Sequence, residues 1–156
     1  MTALTADISR SRKILPTALN VVPAKGDKIF YGGSILCRNS SGLGVPGTDT
    51  AGLRVLGIVT QPMNTTGLAD GSYGYGDALL RCVQYDQTGE WAIAITGSDV
   101  PKVDGLAFLV DDNTVTADAP GVGATSVNGI IVGRFTRPAQ APNTWFVNIL
   151  YRGVEQ

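Results

Sequence analysis

Short apolar runs, many of them alternating with polar residues, recur along most of the chain and are separated by Gly, Pro, Asn and Asp. The pattern predicts strands at 28–31, 34–38, 44–46, 53–60, 78–85, 90–96, 106–110, 114–117, 129–136 and 145–151. Asp86-Gln87-Thr88-Gly89 and Asp111-Asp112-Asn113 are turn sequences, and each predicts a hairpin between its flanking strands. No window keeps a helical period over three turns, so the sequence predicts an all-β fold.

One motif occurs twice in the chain. Residues 56–62 and 132–138 both read apolar-Gly-x-apolar-Thr-x-Pro, an offset of 76 residues (56 to 132). The alignment extends backwards to Lys25-Gly26-Asp27 and Lys102-Val103-Asp104, which gives an internal repeat of 25–62 and 102–138. A Gly inside an apolar strand costs stability unless a bulge or a close backbone requires it. The repeat therefore predicts two similar halves, each bent to form a small β-barrel or β-sandwich.

The first 24 residues differ in composition from the rest. Arg10, Arg12 and Lys13 alternate with Ile8, Ser9 and Ser11, and Ile14-Leu15-Pro16 interrupts any helix. We predict an extended N-terminal arm at 1–24, with one short strand at 19–22, in front of a β domain at 25–156. Two interpretations of the arm stay open: a loose terminus, and a basic segment that docks on a partner surface.

Length and charge narrow the class of protein. The 156 residues suffice for one domain with its own core, and a net charge of −1 provides no basic field for nucleic acid. Charged residues make up only 16% of the chain, well below the usual quarter, which favours a surface partly covered by another chain. No apolar segment approaches the roughly 18 residues of a membrane span, and the N-terminus lacks the pattern of a signal peptide.

The chain lacks most residue types of catalytic and metal sites. It contains no histidine, and its two cysteines, Cys37 and Cys82, do not have a metal-ligand spacing. We interpret both as buried reduced thiols; a disulfide between them requires neighbouring strands. The carboxylates of Asp111 and Asp112 fit a turn better than a catalytic or calcium site. The sequence thus argues against an enzyme and predicts no cofactor and no metal.

Residues 63–76 predict a long loop that contains two tyrosines. Asp70 and Asp77 flank its Gly-rich part but lack the periodicity of a calcium loop. Tyr73 and Tyr75 have rings that can stack on a sugar or a base, although a loop that is exposed to solvent or contacts a partner is the favoured interpretation. Together with Arg10, Arg12, Lys13 and Ile14 of the arm, these two tyrosines are the candidate contact residues.

The order of these segments resembles the small capsid decoration, or cement, proteins of tailed phages. The segments that carry the resemblance are Lys25-Gly26-Asp27, residues 54–59, the Gly/Tyr loop with 78–83, the hairpin at 106–116, residues 130–133 and residues 145–149. It covers about residues 25–151. The long 63–76 loop and the 24-residue lead depart from the family pattern.

The resemblance implies a β domain on the outer surface of a phage head, made in the host cytoplasm. Three copies would gather at a threefold position, contact the major capsid protein and clamp neighbouring capsomers. A terminal arm that reaches across the shell would give Arg10, Arg12 and Lys13 a role. The alternatives are a tail or baseplate component, and a carbohydrate- or ligand-binding β module that uses Tyr73, Tyr75 and Trp91.

Overall fold

The computed structural model describes residues 20–73 and 80–149, which form strands and no α-helix. The prediction of an all-β fold is therefore confirmed. The strands are β1 (Asn20–Pro23), β2 (Ile29–Phe30), β3 (Ile35–Arg38), β4 (Gly44–Pro46), β5 (Arg54–Val59), β6 (Met63–Asn64), β7 (Cys82–Asp86), β8 (Glu90–Thr96), β9 (Leu106–Asp111), β10 (Thr114–Thr116), β11 (Ile131–Pro138) and β12 (Thr144–Asn148).

The strands divide into a first and a second half. In the second half, β10, β8, β12, β11 and β9 form a closed barrel in that order. In the first half, β1, β7, β5, β3 and β4 form a sheet, and β2 pairs separately with β6. The edges of that sheet meet at a parallel bridge between Ala24 and Gly44, where the Lys25 amide donates to the Gly44 carbonyl at 2.9 Å. β4 lies at an edge, as its Pro46 predicts.

The two halves repeat one arrangement. β1, β3, β4, β5 and β7 correspond in chain order and neighbour order to β8, β9, β10, β11 and β12. Even the irregularities correspond, because β3–β5 and β9–β11 each shift register by one residue just before a glycine. The bulged residue is Leu56 before Gly57, and Val132 before Gly133. Residues at matching positions of the two halves are called counterparts below.

The repeated glycines allow two backbones to approach closely. A Cβ at Gly57 would lie 2.2 Å from the Asp86 carbonyl oxygen, and one at Gly133 would lie 2.2 Å from that of Asn148. Asp86 and Asn148 are themselves counterparts, opposite Ile58 in β5 and Arg134 in β11. The glycines are thus required by the bend in each half, as the repeated motif predicts.

The backward extension of the repeat is wrong. The Gly105 amide donates to the Lys102 carbonyl at 2.9 Å, and the same turn in the first half joins Ser34 to Tyr31 at 3.1 Å. The counterpart of Lys102 is therefore Tyr31, an offset of 71 residues (31 to 102), and not Lys25. The offset grows to 76 at Gly57 and Gly133 because the connection after β10 is longer than the one after β4.

One predicted hairpin is confirmed and the other is wrong. β9 pairs with β10 around Asp111-Asp112-Asn113, where the Asp111 carboxylate accepts the Asn113 amide at 2.8 Å. The turn after Asp86 also has the expected chemistry, because the Asp86 carboxylate accepts the Thr88 amide at 2.9 Å. Its flanking strands do not pair, however: β7 belongs to the first half and β8 to the second. This turn connects the halves.

A shared core joins the halves. Four side chains on the outer face of the first-half sheet are buried in one cluster with the second half: Ile35, Cys37, Val55 and Ile58. The inner face of the sheet has a smaller cluster of its own, which includes Val22, Leu36 and Val83. Polar contacts support the junction, since the Asp49 carboxylate accepts the backbone amides of Val127 and Asn128. The two halves therefore pack as one unit.

Candidate interaction surface

Most of the predicted contact residues lie outside the part of the chain that the structure describes. These are Arg10, Arg12, Lys13, Ile14 and Tyr75. Tyr73 is described: 54% of it is exposed, and its hydroxyl donates to the Val21 carbonyl at 3.2 Å. Trp91, the third aromatic candidate, packs partly against the core and donates through Nε1 to the Thr88 carbonyl. Tyr73 thus lies against β1, the strand formed by the last residues of the predicted arm.

The segment predicted as a long loop is anchored by polar contacts in its described part, and it begins as a strand. Met63 and Asn64 form β6, so the prediction of a loop is wrong for these two residues. The strand is not visible in the sequence because only two residues pair with β2, too few to show a periodicity. The buried hydroxyl of Thr65 donates to the Lys25 carbonyl at 2.8 Å and accepts the Lys28 amide at 3.0 Å. The segment is therefore held against the end of β1.

Asp70 fixes the next part of this segment. Its carboxylate accepts the Gly26 amide at 2.8 Å and the Lys25 ammonium at 3.1 Å. The Gly26 hydrogen bond, and secondly the one from Lys25, hold the pKa of Asp70 below its usual value. The Asp70 oxygens already accept N–H hydrogen bonds, and a positively charged ammonium group lies beside them. They are therefore poor ligands for a calcium ion. Asp70 is a structural anchor.

Five large apolar side chains are exposed around these anchored segments: Ile29, Tyr31, Leu68, Tyr73 and Leu80. We call this set the apolar rim. Ile29 and Tyr31 lie in β2 and directly after it, whereas Leu68, Tyr73 and Leu80 lie between β6 and β7. The hydrogen bonds of Thr65 and Asp70 tie these two segments together, and a bridge joins Ser72 to Leu80 within the second. Exposed apolar side chains on an anchored backbone need little reordering when a partner covers them.

The described residues contain no cluster of His, Cys, Asp and Glu that could hold a metal ion. Burial raises the pKa of the Cys37 thiol to about 12, which leaves it protonated and unreactive at neutral pH. Cys82 also has a free thiol but is partly exposed, so the prediction that both thiols are buried is wrong for Cys82. Because β5 lies between β3 and β7, the strands of the two cysteines are not neighbours.

A second carboxylate, Asp118, anchors the connection between β8 and β9. It accepts the backbone amide of Asp99 at 2.7 Å, the Thr125 hydroxyl at 2.8 Å and the Ser98 amide at 3.0 Å. These hydrogen bonds, led by that from Asp99, lower the pKa of Asp118. No feature of the sequence singles out Asp118, since its partners come from two segments that are distant in the chain, at 98–99 and at 125.

Acid is expected to release the Asp118 anchor. A carboxyl group whose pKa is lower in the folded state stabilises the fold above its ordinary pKa, about 3.8, and loses that effect as pH falls through the lower folded value. Asp118→Asn should melt at a lower temperature than the wild type at pH 7 and depend less on pH below about pH 4. Melting curves at a series of pH values test this. Parallel curves for both proteins would contradict it.

No known protein family matches the chain, and neither a curated protein nor a solved structure does so. No helix in residues 20–73 or 80–149 is long and apolar enough to cross a membrane.

Proposed function

We propose that this chain is a structural protein of a phage virion that binds the outer surface of the capsid and stabilises it by clamping neighbouring capsomers. The observation that supports this most is the apolar rim, a fixed group of exposed apolar side chains on a scaffold of two packed halves. In the virion, the major capsid protein would be the partner that covers these side chains. The chain would be made in the host cytoplasm.

The proposed mechanism is binding at several points. Each contact can be weak, because contacts made by one linked object strengthen each other through effective concentration. Residues 1–19 would span at most about 65 Å when extended, so the arm could make a contact well away from the β domain. Arg10, Arg12, Lys13 and Ile14 would make the arm contact, and Tyr73 with Tyr75 a contact near the base of the arm. Three copies would act together at a threefold position.

Binding to expanded capsids tests the proposal. Purified protein should cosediment with capsids that lack it and raise the temperature at which those capsids fail. Replacing Ile29 and Tyr31 of the apolar rim by serine should weaken binding by about tenfold or more, since such a contact is worth about 1–2 kcal/mol. Val122→Ser, a change at another exposed apolar residue, is the matched control. Failure of the wild-type protein to bind or to change capsid melting would refute the proposal.

A further inference from the structure

The outer face that is buried in the first half is partly exposed in the second. The four buried positions of the first half are Ile35, Cys37, Val55 and Ile58. Their counterparts, all partly exposed, are Leu106, Phe108, Ile131 and Arg134. Three of these four remain large apolar residues. The second half therefore presents the surface by which the first half is packed, with less of it covered.

In the first half, this face is covered by the hairpin between β9 and β10. The Ile35 amide donates to the Asp112 carbonyl at 2.7 Å, and Thr48 forms an antiparallel bridge with Asp111. Both contacts use backbone atoms. A hairpin of the same length can make them with other side chains.

The first half contains such a hairpin, between β3 and β4. Five residues, 39–43, separate Arg38 from Gly44, and five residues, 110–114, separate their counterparts Leu109 and Val115. Arg38 and the residues at 40–42 are exposed, so this hairpin is accessible to another molecule.

The counterpart side chains are complementary in charge. Within the chain, a methyl group of Leu109 lies 3.3 Å from where a Cβ of Gly47 would be. The counterpart of Leu109 is Arg38. The counterpart of Gly47 is Asp118, because Ala117 before it corresponds to Pro46. Repeating the contact between two molecules would bring Arg38 next to Asp118, whose carboxylate also accepts hydrogen bonds from Ser98, Asp99 and Thr125 of its own molecule. An apolar contact would be replaced by an ion pair.

We infer that a second copy of this chain inserts its 39–43 hairpin into the open groove of about 600 Å³ beside this face. Leu106, Phe108, Ala119 and Pro120 are among the apolar residues that line the groove, and Asp99 and Lys102 are its charged ones. The contact is head to tail, so repeating it builds a ring or a filament. A ring of three copies contains six halves. The inference gives the three-copy arrangement of the proposed function a specific interface, while its test uses free protein and needs no capsid.

Two variants test the contact from its two sides. Arg38→Glu changes the hairpin and Ala119→Glu changes the groove; both residues are exposed. In sedimentation velocity with the full chain, wild type should form larger species as its concentration rises. Each variant should raise the dissociation constant at least about tenfold, because it sets like charges together or fills the groove. Lys28→Glu and Ala92→Glu make the same charge changes at exposed sites outside the groove and should associate like wild type.

Mixing the variants identifies the direction of the contact. The Arg38→Glu molecule keeps an intact groove and the Ala119→Glu molecule an intact hairpin, so an equimolar mixture should form dimers that neither variant forms alone. Raising salt from about 0.05 M to about 0.5 M should weaken wild-type association. A wild type that is monomeric at all concentrations, variants that associate like wild type, or a mixture without dimers would overturn the inference. An Ala119→Glu protein that associates normally but fails to bind capsids would show that the capsid occupies the groove.

Discussion

Gly133→Ala is expected to destabilise the protein severely, by about 3 kcal/mol or more. The new Cβ would lie 2.2 Å from the Asn148 carbonyl oxygen and 3.0 Å from the Ile149 Cα, and both obstacles are backbone. Backbone cannot move aside as a flexible side chain can, so β11 and β12 would have to separate inside a closed barrel. Urea unfolding followed by the fluorescence of Trp91 and Trp145, both in the second half, measures the loss.

Gly32→Ala is the matched control for this change. Only a Pro62 side-chain atom lies near a Cβ at position 32, at 3.6 Å, which is an ordinary contact. The control should unfold within about 0.5 kcal/mol of wild type. Gly57→Ala should resemble Gly133→Ala, because its Cβ would lie 2.2 Å from the Asp86 carbonyl oxygen. If Gly133→Ala were as stable as Gly32→Ala, the close approach would not be what the repeated motif preserves.

The glycine motif shows what kind of feature a single sequence can reveal. Gly57 and Gly133 are detectable because a close backbone approach allows only one residue type, so the same requirement leaves the same letter in both halves. Apolar runs likewise predict the longer strands, since burial of alternate side chains needs a period of two. Steric exclusion and burial act locally and are therefore visible in the sequence.

The pairing of strands is less visible in the sequence than their positions. The turn at Asp86 has correct hairpin chemistry, yet a turn only reverses the chain and does not decide which strand lies beside it. The alignment of Lys25 with Lys102 failed for a related reason. The true counterpart, Tyr31, shares a backbone turn with Lys102 but no side-chain requirement, so nothing in its identity marks it.

The candidate surface could be predicted only in part. Tyr73 stands out by its aromatic ring in a Gly-rich segment, and the structure places it against β1. The exposure of Leu68 and the partial exposure of Leu106 cannot be predicted in this way, because an apolar residue in a strand or connection is usually buried. Their exposure depends on which half covers which, a property of the packing between distant segments. The contact roles of Arg10, Arg12, Lys13, Ile14 and Tyr75 stay predictions.

Deleting residues 1–24 is expected to unfold the protein, whereas deleting residues 1–19 is expected to leave it folded. The predicted arm ends at residue 24, but β1 (Asn20–Pro23) pairs along its whole length with β7. Val22 and Ala24 are buried in the core of the first half, and the Ala24 amide donates to the Arg81 carbonyl at 2.9 Å. Loss of this strand removes about 4 kcal/mol or more of burial and hydrogen bonding, a large part of a typical domain's stability.

The shorter deletion then isolates the function of the arm. Without residues 1–19 the urea midpoint should stay close to that of wild type, while affinity for expanded capsids should fall by about tenfold or more, because one of several linked contacts is lost. Cosedimentation with capsids measures the affinity, and tryptophan fluorescence confirms the fold. Unchanged affinity would assign capsid binding to the apolar rim alone. A shorter deletion that unfolds the chain would show that residues before Asn20 stabilise the first half, and would remove the distinction between arm and sheet.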